Sequence, residues 1–558
     1  MEITGAQALL ESLKKEGVEI IFGYPGGQVL PLYDALYDEK EIRHVLVRHE
    51  QGAAHAADGY ARATGKVGVC LATSGPGATN LITGIANAYM DSIPLIAITG
   101  QVPNLLLGRD SFQEADVVGI TMPVTKHNFL VKEIKDLPRI VKEAFYIARS
   151  GRPGPVSIDI PKDVFTGKLK YAYPEKADIP SYKPNTKGHP KQISAAARAI
   201  AAARKPVLYA GGGVISANAS AELKQLAEKC NIPVTLTMMG LGAFPDSHHL
   251  SLGMIGMHGT AYANYSVTDC DLLIAVGVRF DDRVTGHIPR FAPNAKIIHI
   301  DIDPAEIGKN VRVDIPIVGD VKNVLKELIE KVGPKEDHKD WIDQVEQWKG
   351  KYPLSYKKTD GLKPQMIIEA FCEITKGKET IVVTEVGQNQ MWSAQYFKFE
   401  KPRSWISSGG LGTMGFGLPA ANGAQFGRPN AIVADFAGDG SIQMNIQELT
   451  TAVNNKLPIK IYVLDNSYLG MVRQWQELLY QRHYSHTDLD NNPDLVRIAE
   501  AYGCAARRVE RAEDVKEALE WSLTIKDRPV LIDFVIAREE NVFPFVPPGQ
   551  AINEMILD

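Results

Sequence analysis

Three absences in this sequence each exclude a class of protein. The five cysteines among 558 residues are scattered and never form a Cys-x-x-Cys pair, which argues against a disulfide framework or a zinc site and for a reducing compartment. Lys and Arg number 61 against 66 Asp and Glu, without a dense basic block, so nothing favours nucleic acid as a partner. No apolar run reaches membrane-spanning length, so we expect no membrane partner.

The N-terminal residues predict a helix rather than a targeting segment. Ala6, Leu9, Leu10 and Leu13 follow a helical period, and no charged-then-apolar signal region precedes them. We therefore expect a cytoplasmic enzyme, although a processed organellar protein would have the same appearance.

Length and composition predict three domains. At roughly 100–200 residues each, about three domains fit the chain. Strand-like runs alternate with helical periods, which predicts an α/β protein of three doubly wound parallel-sheet domains. Polar stretches at 171–190 and 333–363, the second containing a helix around 341–348, are typical of linkers. The predicted domains are therefore 1–170, 190–335 and 360–540, followed by a tail at 541–558.

One segment of the last third indicates a metal site. Residues 431–441 read as a buried strand and a tight Gly-Asp-Gly turn, followed by a predicted helix at about 442–455 and a strand that ends near Asn466. Parallel strands end at one sheet edge, so Asp439 and Asn466 should lie side by side there. Two oxygen ligands beside a helix N-terminus suit Mg²⁺ holding a diphosphate, whereas a lone Gly-Asp-Gly is more often a plain turn.

The first third repeats this pattern without the acid. Residues 67–99 read as strand, glycine turn, helix and strand, in the order and spacing of 431–465. We interpret this as one fold used twice, although βαβ units in general resemble one another. Because the first turn lacks a carboxylate, only the last third is expected to hold a metal.

A carboxylate marks the sheet edge of the first third. Residues 48–53 (RHEQGA) follow a predicted strand at 43–47 and open an alanine-rich helix. Alone, Glu50 at this junction is better explained as a helix cap than as a catalytic group. Glycine turns at 23–27 and 74–80 reach the same edge, and together they indicate a cleft.

These residues resemble the thiamine-diphosphate (ThDP) enzymes. The Gly-Asp-Gly…Asn pattern, the Arg-His-Glu segment and the turn SGPGATN at 74–80 occur in that family's order and spacing, over almost the whole chain. Within it, the sequence resembles the catalytic subunits of the acetohydroxyacid synthases (acetolactate synthases). The narrower match rests on 409–419 (GGLGTMGFGLP), 278–286 (VRFDDRVTG) and 547–549 (PPG).

The resemblance implies a ThDP site shared between the end domains. Glu50, in the pyrimidine-binding first domain, would hydrogen-bond the aminopyrimidine ring of ThDP. Asp439, Asn466 and the backbone oxygen of Tyr468 would hold Mg²⁺, and Met414 would wedge the cofactor into its bent shape, although a Met in a glycine-rich loop is usually core packing. Further implied contacts of the diphosphate-binding domain are Gly387, Gln388, Asn389, Gly412, Gly438, Gly440 and Ser441.

For the middle third the resemblance implies an FAD-binding domain. Residues 205–213 form a predicted strand and a glycine turn suited to a phosphate group, and 298–303 end a further strand in acids. Three glycines alone fit a plain turn equally well. The implied FAD contacts are Arg152, Gly211, Gly212, His258, Gly259, Arg279, Asp301 and Asp320. In this family the flavin takes no net electron in the main reaction.

The resemblance also implies a 2-ketoacid site. The Arg283 guanidinium suits a carboxylate, and the Trp475 indole beside an apolar pocket would prefer 2-ketobutyrate. The alternative for Trp475 is a buried anchor of the helix 471–479. Further implied substrate contacts, including those that line or cover the entry channel with the tail, are Gly27, Phe112, Gln113, Lys162, Met257 and Met471.

Two positions depart from the family pattern. Asn389 stands where a His commonly lies beside the diphosphate; an amide still has hydrogen-bond donors, but that contact is uncertain. Gln28 replaces a small residue after the glycine turn, and it would narrow the channel or alter inhibitor access.

The resemblance implies the following activity. Pyruvate is decarboxylated on ThDP, and the remaining two-carbon unit joins a second pyruvate to give 2-acetolactate, or 2-ketobutyrate to give 2-aceto-2-hydroxybutyrate, in branched-chain amino-acid synthesis. The family implies a homodimer or dimer of dimers, in which Glu50 of one subunit serves cofactor anchored by Asp439 of the other, and often a small regulatory subunit. Alternatives are a pyruvate oxidase, a catabolic acetolactate synthase that lacks the flavin, another ThDP-dependent 2-ketoacid decarboxylase or carboligase, and a non-catalytic flavin- or nucleotide-binding subunit.

Overall fold

A computed structural model describes residues 2–334, 338–358 and 361–558. Residues 335 and 360, at which two predicted domain bounds fall, lie outside this part, as does some of the linker predicted at 333–363. In the described residues, no helix is both long and apolar enough to cross a membrane.

The first domain is a six-stranded parallel sheet with helices on both faces. The strands of this domain, β1–β8, are Glu2–Thr4, Ile20–Gly23, Arg43–Leu46, Gly68–Ala72, Leu95–Gln101, His127–Leu130, Pro155–Pro161 and Lys168–Lys170. Strands β2–β7 form the six-stranded sheet, and β1 and β8 form a separate antiparallel pair. The helices α1–α8 are Gly5–Lys15, Leu30–Asp38, Glu50–Thr64, Pro76–Asn80, Ile82–Met90, Val117–Thr121, Leu137–Arg149 and Lys162–Thr166. Side chains of β2 alternate between two cores: Ile21 packs on one face, Phe22 on the other.

The middle domain has the strand order typical of dinucleotide-binding folds. Strands β9–β14 are Pro206–Ala210, Val234–Leu236, Ser251–Met254, Leu272–Val276, Lys296–Asp301 and Ile315–Val318. They lie in the order β11-β10-β9-β12-β13-β14, all parallel, so the order reverses between β9 and β12, where such sheets bind ligands. Helices α9–α14 are Pro190–Ala202, Gly212–Ser216, Ser220–Cys230, Ala261–Asp269, Asp282–Thr285 and Val321–Lys331; α15, Lys339–Lys351, follows in the second linker.

The last domain repeats the topology of the first. Strands β15–β20 are Thr380–Thr384, Trp405–Ile406, Ile432–Gly438, Lys460–Asp465, Ala505–Val509 and Val530–Val535. Their order, β16-β15-β17-β18-β20-β19, matches β3-β2-β4-β5-β7-β6 strand for strand, which confirms that one fold is used twice. Helices α16–α23 are Pro364–Ile374, Gln388–Tyr396, Gly417–Gly427, Asp439–Ile442, Leu449–Asn454, Gly470–Leu479, Leu495–Tyr502 and Val515–Thr524.

The predicted helix at 442–455 was wrong as a single element. After β17 the chain forms α19, then a 3₁₀ segment Gln443–Glu448 with non-helical backbone at Asn445, and only then α20. Asn445 donates its side-chain N–H to the Gly415 carbonyl at 2.7 Å, which ties the break to the glycine loop before α18. A hydrophobic period cannot reveal such an interruption, because the buried positions continue through it.

The two end domains touch through α3 and α18. A Cβ added at Gly59 would lie 2.1 Å from the Ala420 carbonyl oxygen, and one at Gly423 would lie 1.8 Å from that of Ala56. Only glycine permits this approach of backbone to backbone. The contact joins the first and last sheets within a single chain.

Candidate functional site

The candidate diphosphate site lies where β17 and β18 end at the carboxyl edge of the last sheet. These strands are parallel neighbours, with Gly438 opposite Leu464. Asp439 and Asn466, the residues that follow, are therefore adjacent, as the sequence predicts. Together with Tyr468 they line a cavity of about 90 Å³.

Hydrogen bonds orient the side chains around this cavity. Asn492 Nδ2 donates to Asp439 Oδ2 at 2.8 Å. Asn466 Nδ2 donates to Gln388 Oε1 at 3.1 Å, and its Oδ1 accepts from the Tyr468 N–H at 3.1 Å. The site thus offers a carboxylate, an amide oxygen of fixed orientation and nearby backbone carbonyls, which are ligands that Mg²⁺ accepts.

The charge of Asp439 also fits a cation. The residue is 1% exposed, and burial, followed by the negative charge of Asp465, raises its pKa to about 8. In the described residues no Lys or Arg forms an ion pair with it, and no group of three Asp, Glu, His or Cys side chains is arranged to hold a metal ion. A buried carboxylate without a cationic partner is costly, and a divalent ion between Asp439 and Asn466 would remove that cost.

Glycine turns complete the wall of this cavity. Gly387 immediately precedes α17, and Gly438 precedes α19, where its N–H donates to Ser441 Oγ at 3.2 Å. The predicted residues that line the cavity with Asp439, Asn466 and Tyr468 are Gly387, Gln388, Asn389, Met414, Gly438, Gly440, Ser441 and Met471. The structure therefore brings together the predicted diphosphate contacts except Gly412, which lines a larger cavity next to it.

Asn389 uses both of its amide hydrogens within the protein. Its Nδ2 donates to the carbonyls of Glu385 at 3.0 Å and Phe436 at 2.8 Å. Two carbonyl partners fix the orientation of the amide, because its oxygen cannot donate to either. The side chain therefore has no N–H left for a diphosphate in this conformation.

The loop that carries Met414 is held by an acid that the sequence did not reveal. Glu385 is fully buried and accepts from the Gly415 N–H at 2.7 Å and the Leu418 N–H at 3.3 Å. Burial raises the pKa of Glu385 to about 8. Asp435 lies beside it on β17, and among the described residues neither of its carboxylate oxygens has a hydrogen-bond partner. No motif in the sequence marks these strand positions.

Glu50 is the first residue of α3 and does not cap it. The cap is His49, whose Nδ1 accepts from the Gln51 N–H at 3.0 Å. Asn80 Nδ2, at the end of the 74–80 turn, instead donates to Glu50 Oε2 at 3.0 Å. Among the described residues of a single chain, Glu50 does not line the diphosphate cavity.

The larger cavity, of about 640 Å³, lies between the middle domain and the two end domains. Gly211 and Gly212, at the start of α10, lie where the strand order reverses. A Cβ at Gly211 would meet the Gly277 carbonyl oxygen at 2.4 Å, so glycine is required there. The predicted flavin residues lining this cavity are Arg152, Gly211, Gly212, His258, Arg279, Asp301 and Asp320; Gly259 directly follows His258 without lining it.

Polar groups of opposite charge meet in this cavity. Arg152 reaches from the first domain to Glu306, with its Nη1 2.7 Å from Glu306 Oε1. Burial raises the pKa of Asp301 to about 6 and lowers that of His258 to about 4. Asp320 caps α14 by accepting from the Asn323 N–H at 3.0 Å.

The candidate substrate residues lie where the two cavities meet. The Arg283 guanidinium carbon is 5.6 Å from the centre of the Trp475 ring, a cation–π contact between the middle and last domains. Met257 and Met471 line the large cavity with them, and Met471 also lines the diphosphate cavity. Trp475 is half-buried, and its indole N–H has no hydrogen-bond partner among the described residues.

The C-terminal tail packs over this junction. The Val546 N–H donates to the Met257 carbonyl at 2.9 Å, and the ring of Phe545 stacks on His258 with centroids 5.6 Å apart. The ring of Phe545 also lies 6.3 Å from that of Trp475.

Four predicted substrate residues of the first domain lie apart from both cavities within one chain. Phe112 is 86% exposed. Gly27 is exposed, and Gln113 and Lys162 are half-buried. Gln28, the second departure, donates its backbone N–H to Thr73 Oγ1 at 3.3 Å, and its buried Oε1 has no hydrogen-bond partner in the part of the chain that the structure describes. None of these residues lines the cavities in the described part of the chain.

Comparisons with known proteins identify the fold that carries this site. Three family profiles match the chain: a thiamine pyrophosphate enzyme N-terminal TPP binding domain at 3–120, a thiamine pyrophosphate enzyme central domain at 193–328, and a thiamine pyrophosphate enzyme C-terminal TPP binding domain at 385–534. The last profile covers Asp439, Asn466 and the glycine turns around them.

Full-length relatives decide the narrower family. The chain is 55% identical to an acetolactate synthase of Mycobacterium leprae, over 99% of this chain and 90% of the relative. It is 53% identical to a probable acetolactate synthase large subunit of Methanocaldococcus jannaschii, over 99% and 95%. The chain belongs to the acetolactate synthases, a family of thiamine-diphosphate-dependent enzymes. The chain is also 49% identical to an acetolactate synthase large subunit of Haemophilus influenzae, over 100% of this chain and 98% of the relative. The family predicted from the sequence is therefore confirmed.

Proposed function

We propose that this member of the acetolactate synthase family decarboxylates pyruvate and transfers the remaining two-carbon unit to a second 2-ketoacid, pyruvate or 2-ketobutyrate, with Mg²⁺ and FAD as further cofactors. The observation that carries the proposal is the pairing of Asp439 with Asn466 at neighbouring strand ends, in a cavity that adjoins a second one through Met471.

Bound ThDP would supply a carbon nucleophile and an electron-accepting ring. Asp439, the Asn466 amide oxygen and the Tyr468 carbonyl would hold Mg²⁺ against its diphosphate, while Met414 would support the bend between its rings. The N–H groups at the start of α17 and α19 would add hydrogen bonds to the phosphate oxygens.

Glu50 would hold a proton on its carboxyl oxygen against the ring nitrogen of the aminopyrimidine. Because Glu50 does not line the diphosphate cavity of its own chain, we propose that it serves a second copy, in a homodimer or dimer of dimers. The exposed Phe112, with Gly27, Gln113 and Lys162, would complete the substrate channel from the same side.

FAD would occupy the 640 Å³ cavity. The glycine turn at Gly211 and Gly212 would approach its phosphates, and Asp301 would meet its ribose or adenine, as strand-end acids do in this topology. Arg152, now paired with Glu306, would balance charge on the phosphates.

Arg283 would bind the carboxylate of the acceptor ketoacid, since its side chain is 59% exposed and its guanidinium stands over the Trp475 ring. The ring would pack against the extra methyl of 2-ketobutyrate. Phe545 and Val546 of the tail would exclude water from this junction.

We also propose domain bounds of 1–170, 190–335 and 360–540, with 541–558 as the tail. This division is supported by the absence of regular elements between Lys170 and Pro190 in the described residues. Relatives named large subunits favour a smaller regulatory partner.

The test is a mass balance on pyruvate alone, with ThDP and Mg²⁺ added or withheld. We expect one carbon dioxide and one acetolactate for every two pyruvates, and only with both cofactors present. Carbon dioxide without acetolactate would indicate a simple decarboxylase, and peroxide with acetate or acetyl phosphate a pyruvate oxidase; either result would overturn the proposal.

A further inference from the structure

Glu448 is a buried acid that crosses between the two end domains. It ends the 3₁₀ segment Gln443–Glu448 of the last domain and is 1% exposed. Its Oε1 accepts from the backbone N–H groups of Arg48 at 2.9 Å and His49 at 3.0 Å, both in the first domain. Its Oε2 accepts from Thr451 Oγ1 at 2.6 Å. No cation pairs with it in the described part of the chain.

The two N–H groups that Glu448 binds directly precede Glu50. The helix start also lies against the same carboxylate, because a Cβ added at Gly52 would lie 2.6 Å from Glu448 Oε1. Glu448 therefore fixes the backbone on both sides of Glu50. Asn80 then orients the Glu50 carboxylate itself at 3.0 Å.

Domain adhesion alone does not require an acid here. Burial raises the pKa of Glu448, whereas the hydrogen bonds it accepts, together with the positive charge of Arg48, favour its charged form. Apolar contacts such as those between α3 and α18 join the same domains without that cost. A charged acceptor binds two backbone N–H groups more strongly and with stricter geometry than a neutral one.

We propose that Glu448 is a positioning residue for Glu50: it sets the direction in which the Glu50 carboxyl projects toward the cofactor. This inference rests on the role proposed for Glu50. Only the short helix α19 and one 3₁₀ segment separate Asp439 from Glu448. This stretch of chain therefore connects the candidate metal ligand Asp439 to the start of α3, which carries Glu50.

The experiment compares Glu448→Gln with Asn455→Ala in the full holoenzyme. The amide keeps the size of the side chain but weakens the two charge-assisted hydrogen bonds. Asn455→Ala is the matched control, because it removes another bond between the same domains, from Arg43 Nη2 to Asn455 Oδ1 at 2.8 Å. It also removes the bond from Asn455 Nδ2 to the Thr451 carbonyl at 2.8 Å but leaves the bonds from Glu448 to Arg48 and His49 in place.

Two readouts separate positioning from adhesion: the rate at which the thiazolium C2 proton of bound ThDP exchanges with deuterium, and the thermal unfolding midpoint. A small displacement of a catalytic group costs up to about 100-fold in rate. We expect Glu448→Gln to slow C2 exchange and kcat by roughly 10- to 100-fold, with KM for pyruvate and ThDP affinity nearly unchanged. Asn455→Ala should leave exchange unchanged.

Normal C2 exchange in Glu448→Gln, or equal slowing in both variants, would overturn the inference. Glu50→Gln distinguishes its failure from failure of the proposed function. If Glu50→Gln keeps normal exchange, the role of Glu50 is wrong and the positioning role falls with it. If Glu50→Gln loses exchange while Glu448→Gln keeps it, only the inference about Glu448 fails.

Discussion

At the scale of single residues, hydrogen bonds within the protein decide which atoms remain for a ligand. Asn466 donates its side-chain N–H to Gln388, and its oxygen lies toward Tyr468, the third candidate metal ligand. Asn389, in contrast, donates both N–H groups to backbone carbonyls. Two asparagines of the same site thus differ in what they offer. Residue type alone cannot distinguish them.

Glu50→Gln tests the acid directly. An amide cannot share a proton with the aminopyrimidine, so we expect turnover to fall by a factor on the order of 100 or more, while FAD remains bound. Steady-state rates and the flavin absorbance of the purified protein measure both. A near-normal rate would remove Glu50 from the mechanism.

Trp475→Leu tests the acceptor pocket. Loss of the indole wall should reduce the preference for 2-ketobutyrate over pyruvate by ~1–3 kcal/mol, the value of a methylene-sized contact. The ratio of the two products under competition reports this preference. Leu479→Ala, on the same helix but outside both cavities, should leave the ratio unchanged; an unaltered ratio in Trp475→Leu would return that residue to a structural role.

At the scale of elements, the turns were predictable and the breaks were not. Strand, glycine turn and helix around Asp439 and around 74–80 follow from hydrophobic runs and glycines, and these turns place the candidate diphosphate residues. The break at Asn445 depends on a hydrogen bond to Gly415, 30 positions away in sequence. Glu385, Glu448 and Asn492 escaped notice for the same reason, since their partners are distant in the chain.

Gly59→Ala tests the α3–α18 contact. The added methyl would overlap the Ala420 carbonyl, so the helices must separate, and we expect a loss of at least ~2 kcal/mol despite the better helix propensity of alanine. Gly350→Ala in α15 meets nothing within 4 Å and should gain up to about 1 kcal/mol. Urea unfolding of both variants measures the difference; equal stability would contradict the close contact.

Lys460 on β18 predicts a pH dependence of stability. Its Nζ donates to the Ile525 carbonyl at 2.7 Å, and burial lowers its pKa to about 7. Between pH 7 and its unfolded pKa of about 10.4 the unfolded chain binds more protons, so stability rises with pH in that window. Lys460→Met should lose this rise, on the order of a few kcal/mol. The measurement is the change in unfolding midpoint between pH 7 and pH 9, in the unaltered protein and in Lys460→Met. An equal change in both proteins would contradict the pKa assigned to Lys460.

At the scale of the whole molecule, the sequence predicted three sheets and a repeat but not how the candidate site is shared. Topology follows from alternating strands and helices, because parallel strands need crossovers on both faces. Nothing in a single sequence reports which chain supplies Glu50 to which diphosphate cavity, since both arrangements satisfy the same local patterns.

Mixing two inactive variants tests this sharing. If Glu50 and Asp439 of different copies form one site, dimers that combine Glu50→Gln with Asp439→Ala contain one intact site and one doubly altered site. Random reassembly of equal amounts should then recover about a quarter of the normal activity. Unmixed variants are the controls, and no recovery after verified subunit exchange would place the acid and the metal ligands in the same chain.

The backbone contact at Gly59 and Gly423 has a consequence for how the coenzyme enters. Helices that touch without intervening side chains cannot easily slide past one another, so we expect the first and last domains of one chain to move together. If the pocket is shared between copies, as proposed, access to it requires those copies to part, and uptake of vitamin B1 diphosphate would be coupled to assembly rather than to motion within one subunit.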